Sequence, residues 1–167
     1  PTTATVPLAA SGDADVTRKD DEQVERALID ASTRVPVLMF YTSAVFWLLF
    51  ATLLGAIASL QLHAPSLFGG ISFLSWGRLR PAYLDTMLYG WASMAGIGTA
   101  IWLMARLSRT TLRHPLLLVA GAGFWNLGVF IGLIAIFVGR STGYEWLEFP
   151  PFAAIVLFVA YSLVASW

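Results

Sequence analysis

Few side chains in this sequence have types and spacing that could carry chemistry. Only two histidines occur, His63 and His114. One follows the first apolar stretch and the other precedes the third, so they lie at opposite ends of the spans and cannot share a metal ion. Each reads most simply as an interfacial residue. No HxxxH, HExxH, paired carboxylates or glycine-rich phosphate loop is found, which argues against a self-contained metal or nucleotide site. Cysteine is absent. That removes disulfides, thiolate metal sites, cysteine nucleophiles and covalently attached c-type haem from this chain.

Two connecting segments are richer. The run Trp76-Gly77-Arg78-Leu79-Arg80-Pro81 sets two guanidiniums beside the start of an apolar stretch. They could pair with anionic groups at the outer interface, and the plain reading is lipid phosphate or a neighbouring loop. Asp85 lies near the same end, within reach of an arginine, and an acid inside a span needs a partner or water. The later run Tyr144-Glu145-Trp146-Leu147-Glu148-Phe149-Pro150 places two carboxylates among aromatics on the same side. Its plain reading is a solvated loop anchored by its rings; its functional reading is a docking edge or a cation site.

The elements that must position these residues are membrane helices. Hydrophobic residues make up 57% of the chain and charged residues only 12%, with mean hydropathy +0.72. A soluble domain is about a quarter charged, so half the usual polar coat is missing. Net charge is zero and the pI is about 7.3, leaving no basic excess for nucleic acid. Seven of the ten acidic residues and four of the ten basic ones precede Pro36, which divides the chain into a polar arm and an apolar body.

Residues 1–17 read as a flexible tail, without the basic and apolar runs of a secretory signal. Residues 18–35 favour a short amphipathic helix at the membrane interface, with Asp20, Asp21 and Glu22 in its first turn and Val24, Ala27 and Leu28 on one face. Residues 36–167 form the transmembrane domain, with spans at about 36–62, 83–105, 116–139 and 150–167. Pro36, Pro81, Pro115 and Pro150 mark their starts. Arg18, Lys19, Arg26, Arg34, Arg106, Arg109 and Arg113 fall on one side and Arg78, Arg80 and Arg140 on the other, which predicts a cytoplasmic N-terminus. Trp76, Trp146 and Trp167 fall near the interfaces, whereas Trp47 lies within the first span. Gly96, Gly98, Gly121, Gly123, Gly128 and Gly132 suit close helix packing, the last two as a GxxxG pair. The apolar ending at Trp167 predicts that the natural chain continues.

The stretch Phe73-Leu74-Ser75-Trp76-Gly77-Arg78-Leu79-Arg80-Pro81, followed by Leu88-Tyr89-Gly90-Trp91, resembles subunit I of the cbb3-type cytochrome c oxidases, within the haem-copper oxidases. A GRLRP motif leads into the second transmembrane helix of that family. The run from Tyr144 to Pro150 resembles the acidic, aromatic segment before its fourth helix. The likeness covers all four spans in order, and GRLRP is its specific part.

The resemblance implies an all-α membrane protein whose four transmembrane helices correspond to the N-terminal portion of subunit I. That subunit holds a low-spin haem b, a high-spin haem b and copper. By resemblance, Arg80, with Arg78, would lie near haem propionates, since guanidinium pairs well with carboxylate. The family's haem-ligating histidine, two residues past the proline, corresponds here to Tyr83. Tyrosine can ligate haem iron, but this substitution points to a haem lost or held otherwise. The copper ligands belong to later helices, so no copper site is expected in this chain. The expected partners are other membrane subunits, cytochrome c-type subunits and the lipid bilayer, in the cytoplasmic membrane of a bacterium. The function implied is that of a subunit-I-like portion of a respiratory complex reducing oxygen or nitric oxide. The alternative is a non-catalytic scaffold subunit without haem or copper.

Overall fold

A computed structural model of the chain describes residues 8–68 and 70–167. Among the described residues there is no strand. Four helices carry the fold: α1 (Leu8–His63), α2 (Trp76–Leu107), α3 (Pro115–Phe137) and α4 (Pro151–Ala165). The first three are long and apolar enough to cross a membrane.

α1 departs most from expectation. It is one helix of 56 residues, about 84 Å at 1.5 Å per residue, against a hydrocarbon core of about 30 Å. The expected tail is helical from Leu8 onward, its first seven residues lying outside the described ones, and the break at Pro36 does not occur. A proline removes only its own N–H from the ladder, and helices entering membranes accommodate this with nearby hydroxyls. Here Thr33 Oγ1 donates to the carbonyls of Ile29 and Asp30, and Ser32 Oγ donates to Ile29. The helix runs on through Pro36, at the loss of the one bond its N–H would have made to the Ser32 carbonyl.

Along the membrane part of α1, Val37, Phe40, Ala44, Trp47, Ala51, Leu54 and Ala58 are buried. Their alternating spacing of three and four is a heptad seam, the pattern that keeps one stripe of a helix against its neighbours. Val45, Phe46, Leu49 and Leu53 lie off that stripe and are exposed, as lipid-facing side chains would be. The seam packs mainly on α2, with α3 behind it. Trp47 Nε1 donates to Asn126 Oδ1 at 2.8 Å, and Asn126 Nδ2 donates to Ser43 Oγ at 2.9 Å. Trp47 also fills the space beside Gly90, where a Cβ would come within 2.7 Å of it.

α2 begins at Trp76 rather than near residue 83. The N–H groups of Arg78 and Leu79 both reach the Ser75 carbonyl, so GRLRP forms the first turns of the helix and Pro81 lies inside it. Residues Thr86–Ala92 widen into a π-helical stretch. Such widening leaves carbonyls without their usual partners. Trp125 Nε1 reaches Tyr89 O at 2.8 Å, and Ser93 Oγ takes Leu88 O at 2.9 Å.

α3 opens on Pro115 as expected and ends before Gly139, whose φ of +83° turns the chain away. α4 has 15 residues, about 22 Å of helix, shorter than the expected 18-residue span. It returns antiparallel along α3: Gly121 faces Val164, Gly128 faces Leu157 and Gly132 faces Phe149. The GxxxG pair thus forms the seat for α4 and the segment before it. Gly98 abuts Phe40, whereas a Cβ at Gly96 or Gly123 would meet nothing within 4 Å among the described residues.

Candidate functional site

Six of the nine charged residues after Pro36 gather at the end of the bundle formed by the connections 64–75 and 138–150, and Arg106, Arg109 and Arg113 lie at the other. Arg78 and Arg80 extend from the first turns of α2. Arg78 Nη1 donates to the Phe137 carbonyl at 2.7 Å, meeting the negative end of α3, and its guanidinium fills the space over Gly139. Arg80 Nη2 meets Glu145 Oε1 at 2.5 Å, with both side chains about half exposed. Each arginine thus holds one part of the α3–α4 connection. Arg140 instead lines a groove with Ile131, Ile134, Val138 and Phe152.

Asp85 and Glu148 are brought together beneath this pair. Asp85 is fully buried, and its carboxyl faces the Glu148 carboxyl and the backbone amides of Glu148 and Phe149. None closes to a hydrogen bond: both Asp85 oxygens and Glu148 Oε2 are buried without a partner. The expected arginine for Asp85 is absent, because both candidates are engaged with the connection. Tyr89 sits alongside, its hydroxyl donating to the Trp146 carbonyl at 2.9 Å and its ring 5.2 Å from Phe149. Thr142 N donates to the Glu148 carbonyl at 2.9 Å, closing the loop on itself.

No paired carboxylates stand together in the sequence, and the fold supplies a pair 63 residues apart in the chain. The available signal was Asp85 itself, an acid inside an apolar span. Glu148 could not be matched to it without knowing how the connection folds back. Glu145, read as half of an acidic loop, is instead the counter-ion of Arg80.

Tyr83 is partly buried, and its ring packs on Gly55 of α1, 3.7 Å from where a Cβ there would stand. His63 ends α1 and His114 precedes α3, at opposite ends of the bundle as expected. No group of three or more histidine, cysteine, aspartate or glutamate side chains among the described residues could hold a metal ion.

An all-helical membrane body with GRLRP heading its second helix defines a membrane subunit of the oxidase type. Residues 35–167 match the model of the family described as "Cytochrome C and Quinol oxidase polypeptide I", and the chain belongs to that family. It is 28% identical over 131 residues to the Cbb3-type cytochrome c oxidase subunit CcoN1 of Stutzerimonas stutzeri, covering 77% of this chain and 28% of that protein. It is 27% identical over 135 residues to a cytochrome c oxidase subunit 1 homolog of Azorhizobium caulinodans, covering 77% of this chain and 24% of that one. The chain therefore spans about a quarter of the length of the curated relatives it matches. No solved structure matches it.

The family binds haem, and the residues at the corresponding place in this chain can be tested against that group. They fit poorly. Tyr83, at the position where the resemblance would place a ligand, is turned onto α1, and the two histidines stand at helix ends, His63 closing α1 and His114 preceding α3. The two guanidiniums already have protein acceptors. Three carboxyls, Asp85, Glu145 and Glu148, share this end with Arg78, Arg80 and Arg140, so no excess of cations is left to receive two propionates.

Proposed function

We propose that the chain is the N-terminal membrane portion of a cbb3-type subunit-I-like protein in a bacterial respiratory complex. Such a complex passes electrons from c-type cytochromes to oxygen, or to nitric oxide. The observation that carries this reading is the GRLRP run, Gly77 to Pro81, at the head of an apolar helix inside a family match covering nearly all of the membrane body. On this reading the protein lies in the cytoplasmic membrane with its N-terminus inside, which accords with the seven-to-three bias of basic residues. This chain's own contribution is positional. α1 and α2 form a rigid wall through their heptad seam, and α3 and α4 are tied to it by Asn126, Trp125 and the two arginines.

A second reading is a scaffold subunit descended from the same family, without haem or copper of its own. Tyr83 at the ligand position, packed on Gly55, favours it.

Affinity purification through this chain from its native membrane tests the proposal. Cytochrome c-type subunits and oxygen or nitric oxide reduction in the purified complex are the expected result. Recovery of the protein with no respiratory partner would remove the proposal, and partners without reductase activity would select the scaffold.

A further inference from the structure

We infer that the loop end of α2 is a haem-independent clamp, in which Glu145 serves as the anionic partner of Arg80 where the family resemblance implies a haem propionate, and that α2 carries no haem. The inference rests on the family membership above and concerns what this chain's own residues do at the corresponding place.

Four observations converge. The ligand position is Tyr83, whose ring lies against Gly55. A glycine there leaves the surface of α1 open to the ring, so Tyr83 works as a packing side chain between α1 and α2. Second, Arg78 is bonded to the last carbonyl of α3 at 2.7 Å. An acceptor at a helix C-terminus suits a cation without any cofactor. Third, Arg80 meets Glu145 at 2.5 Å, so each guanidinium holds one stretch of the same connection. Fourth, Asp85 is fully buried two residues after Tyr83, facing Glu148, and neither carboxyl forms an ion pair among the described residues. A further pair of propionates here would meet carboxyls, in surroundings where like charges are poorly screened.

The clamp also explains how a short helix is placed. α4 packs mainly on α3, and the segment Tyr144 to Pro150 leads the chain into it. Arg80–Glu145 and Tyr89–Trp146 fasten that segment to α2 from two successive residues. Phe149 then drops into the space over Gly132.

The test uses the complex purified from its native membrane through a tag on this chain, carrying Tyr83→Phe, Tyr83→His, Arg80→Glu, Glu145→Arg or the last two together. Haem per complex is measured by pyridine haemochrome, alongside the reduced-minus-oxidised spectrum and the yield of intact complex. Tyr83→Phe is expected to leave haem content and spectrum unchanged, and Tyr83→His to add no low-spin haem. Arg80→Glu should lower the yield about two- to fivefold, the range of an exposed ion pair, and the reciprocal double variant should restore it. Loss of one haem equivalent in Tyr83→Phe, or a new low-spin signal in Tyr83→His, would overturn the inference. So would a double variant that stays depleted in haem. Absence of cytochrome subunits from the wild-type preparation would count against the proposed function instead, while rescue by the double variant still decides the clamp.

Discussion

Arg106, in the last turn of α2, closes on Asp30 of α1 through two parallel hydrogen bonds, Nε to Oδ1 at 2.7 Å and Nη2 to Oδ2 at 2.5 Å. Its guanidinium also lies 5.4 Å from the centre of the Trp102 ring. Beside it, Leu112 N donates to Ser32 Oγ at 3.1 Å, so the α2–α3 connection is tied to the same part of α1. These contacts hold the helix just before Pro36, where the polar arm meets the membrane body. The pair is partly exposed, which limits its worth to about 1 kcal/mol despite the forked geometry. Arg106→Leu should therefore lower the unfolding midpoint in detergent by a few degrees. Arg106→Asp with Asp30→Arg should recover most of the loss, and no recovery would mean that the pair is incidental.

The seat beneath α4 gives a second expectation. A Cβ at Gly132 would come within 2.5 Å of the Phe149 ring, and one at Gly128 within 2.7 Å of Leu157. Gly132→Leu and Gly128→Leu should each cost about 1–3 kcal/mol through overpacking. Gly123→Ala, on an open face of the same helix, should stay within about 0.5 kcal/mol of wild type. Thermal unfolding of the three variants side by side distinguishes a packing seat from a general sensitivity of α3.

Asp85 and Glu148 make a test of opposite sign. A buried acid without a hydrogen-bond partner is destabilising, and two that face each other are more so. Asp85→Asn and Glu148→Gln should each raise stability by about 1 kcal/mol. The double variant should gain less than the sum, because either change alone relieves the same juxtaposition. A double-mutant cycle by thermal unfolding at neutral pH measures the coupling. Loss of stability in both single variants would show instead that the carboxyls are held by donors, the backbone amides of Glu148 and Phe149 or a group outside this chain.

The sidedness proposed from the basic residues can be checked directly. Ser108 lies just past α2 and Ser141 in the α3–α4 connection, both exposed and at opposite ends of α3. With an internal N-terminus, Ser108→Cys should be protected in intact cells from an impermeant thiol reagent, whereas Ser141→Cys should label. The chain has no native cysteine to confuse the result. Labelling of both positions from outside would reject the orientation.

The membrane character, the number of apolar segments and the GRLRP run were legible in the sequence because each depends on local composition. Apolar length and charge placement report the bilayer residue by residue, with no need to know what packs on what. Pro115 was also read correctly, since a proline at a first turn loses nothing. Pro36 and Pro81 were misread by the same rule. Both lie inside helices that continue on either side of them, each proline removing only one N–H from the ladder. Gly128 and Gly132 were recognisable as a packing pair, yet only the return of α4 decided what sits on them, and Gly96 and Gly123 carry the same residue where a Cβ would meet nothing within 4 Å among the described residues. The candidate site depended most on tertiary structure. Arg80 and Glu145 are 65 residues apart, Asp85 and Glu148 63, and Asp30 and Arg106 76. Partners at such separations are chosen by how the connections fold back over the helix ends. The sequence therefore determined which charges the membrane body contains, and the three-dimensional arrangement decided which of them meet, because a charged side chain reaches only a few ångströms from wherever its helix is packed.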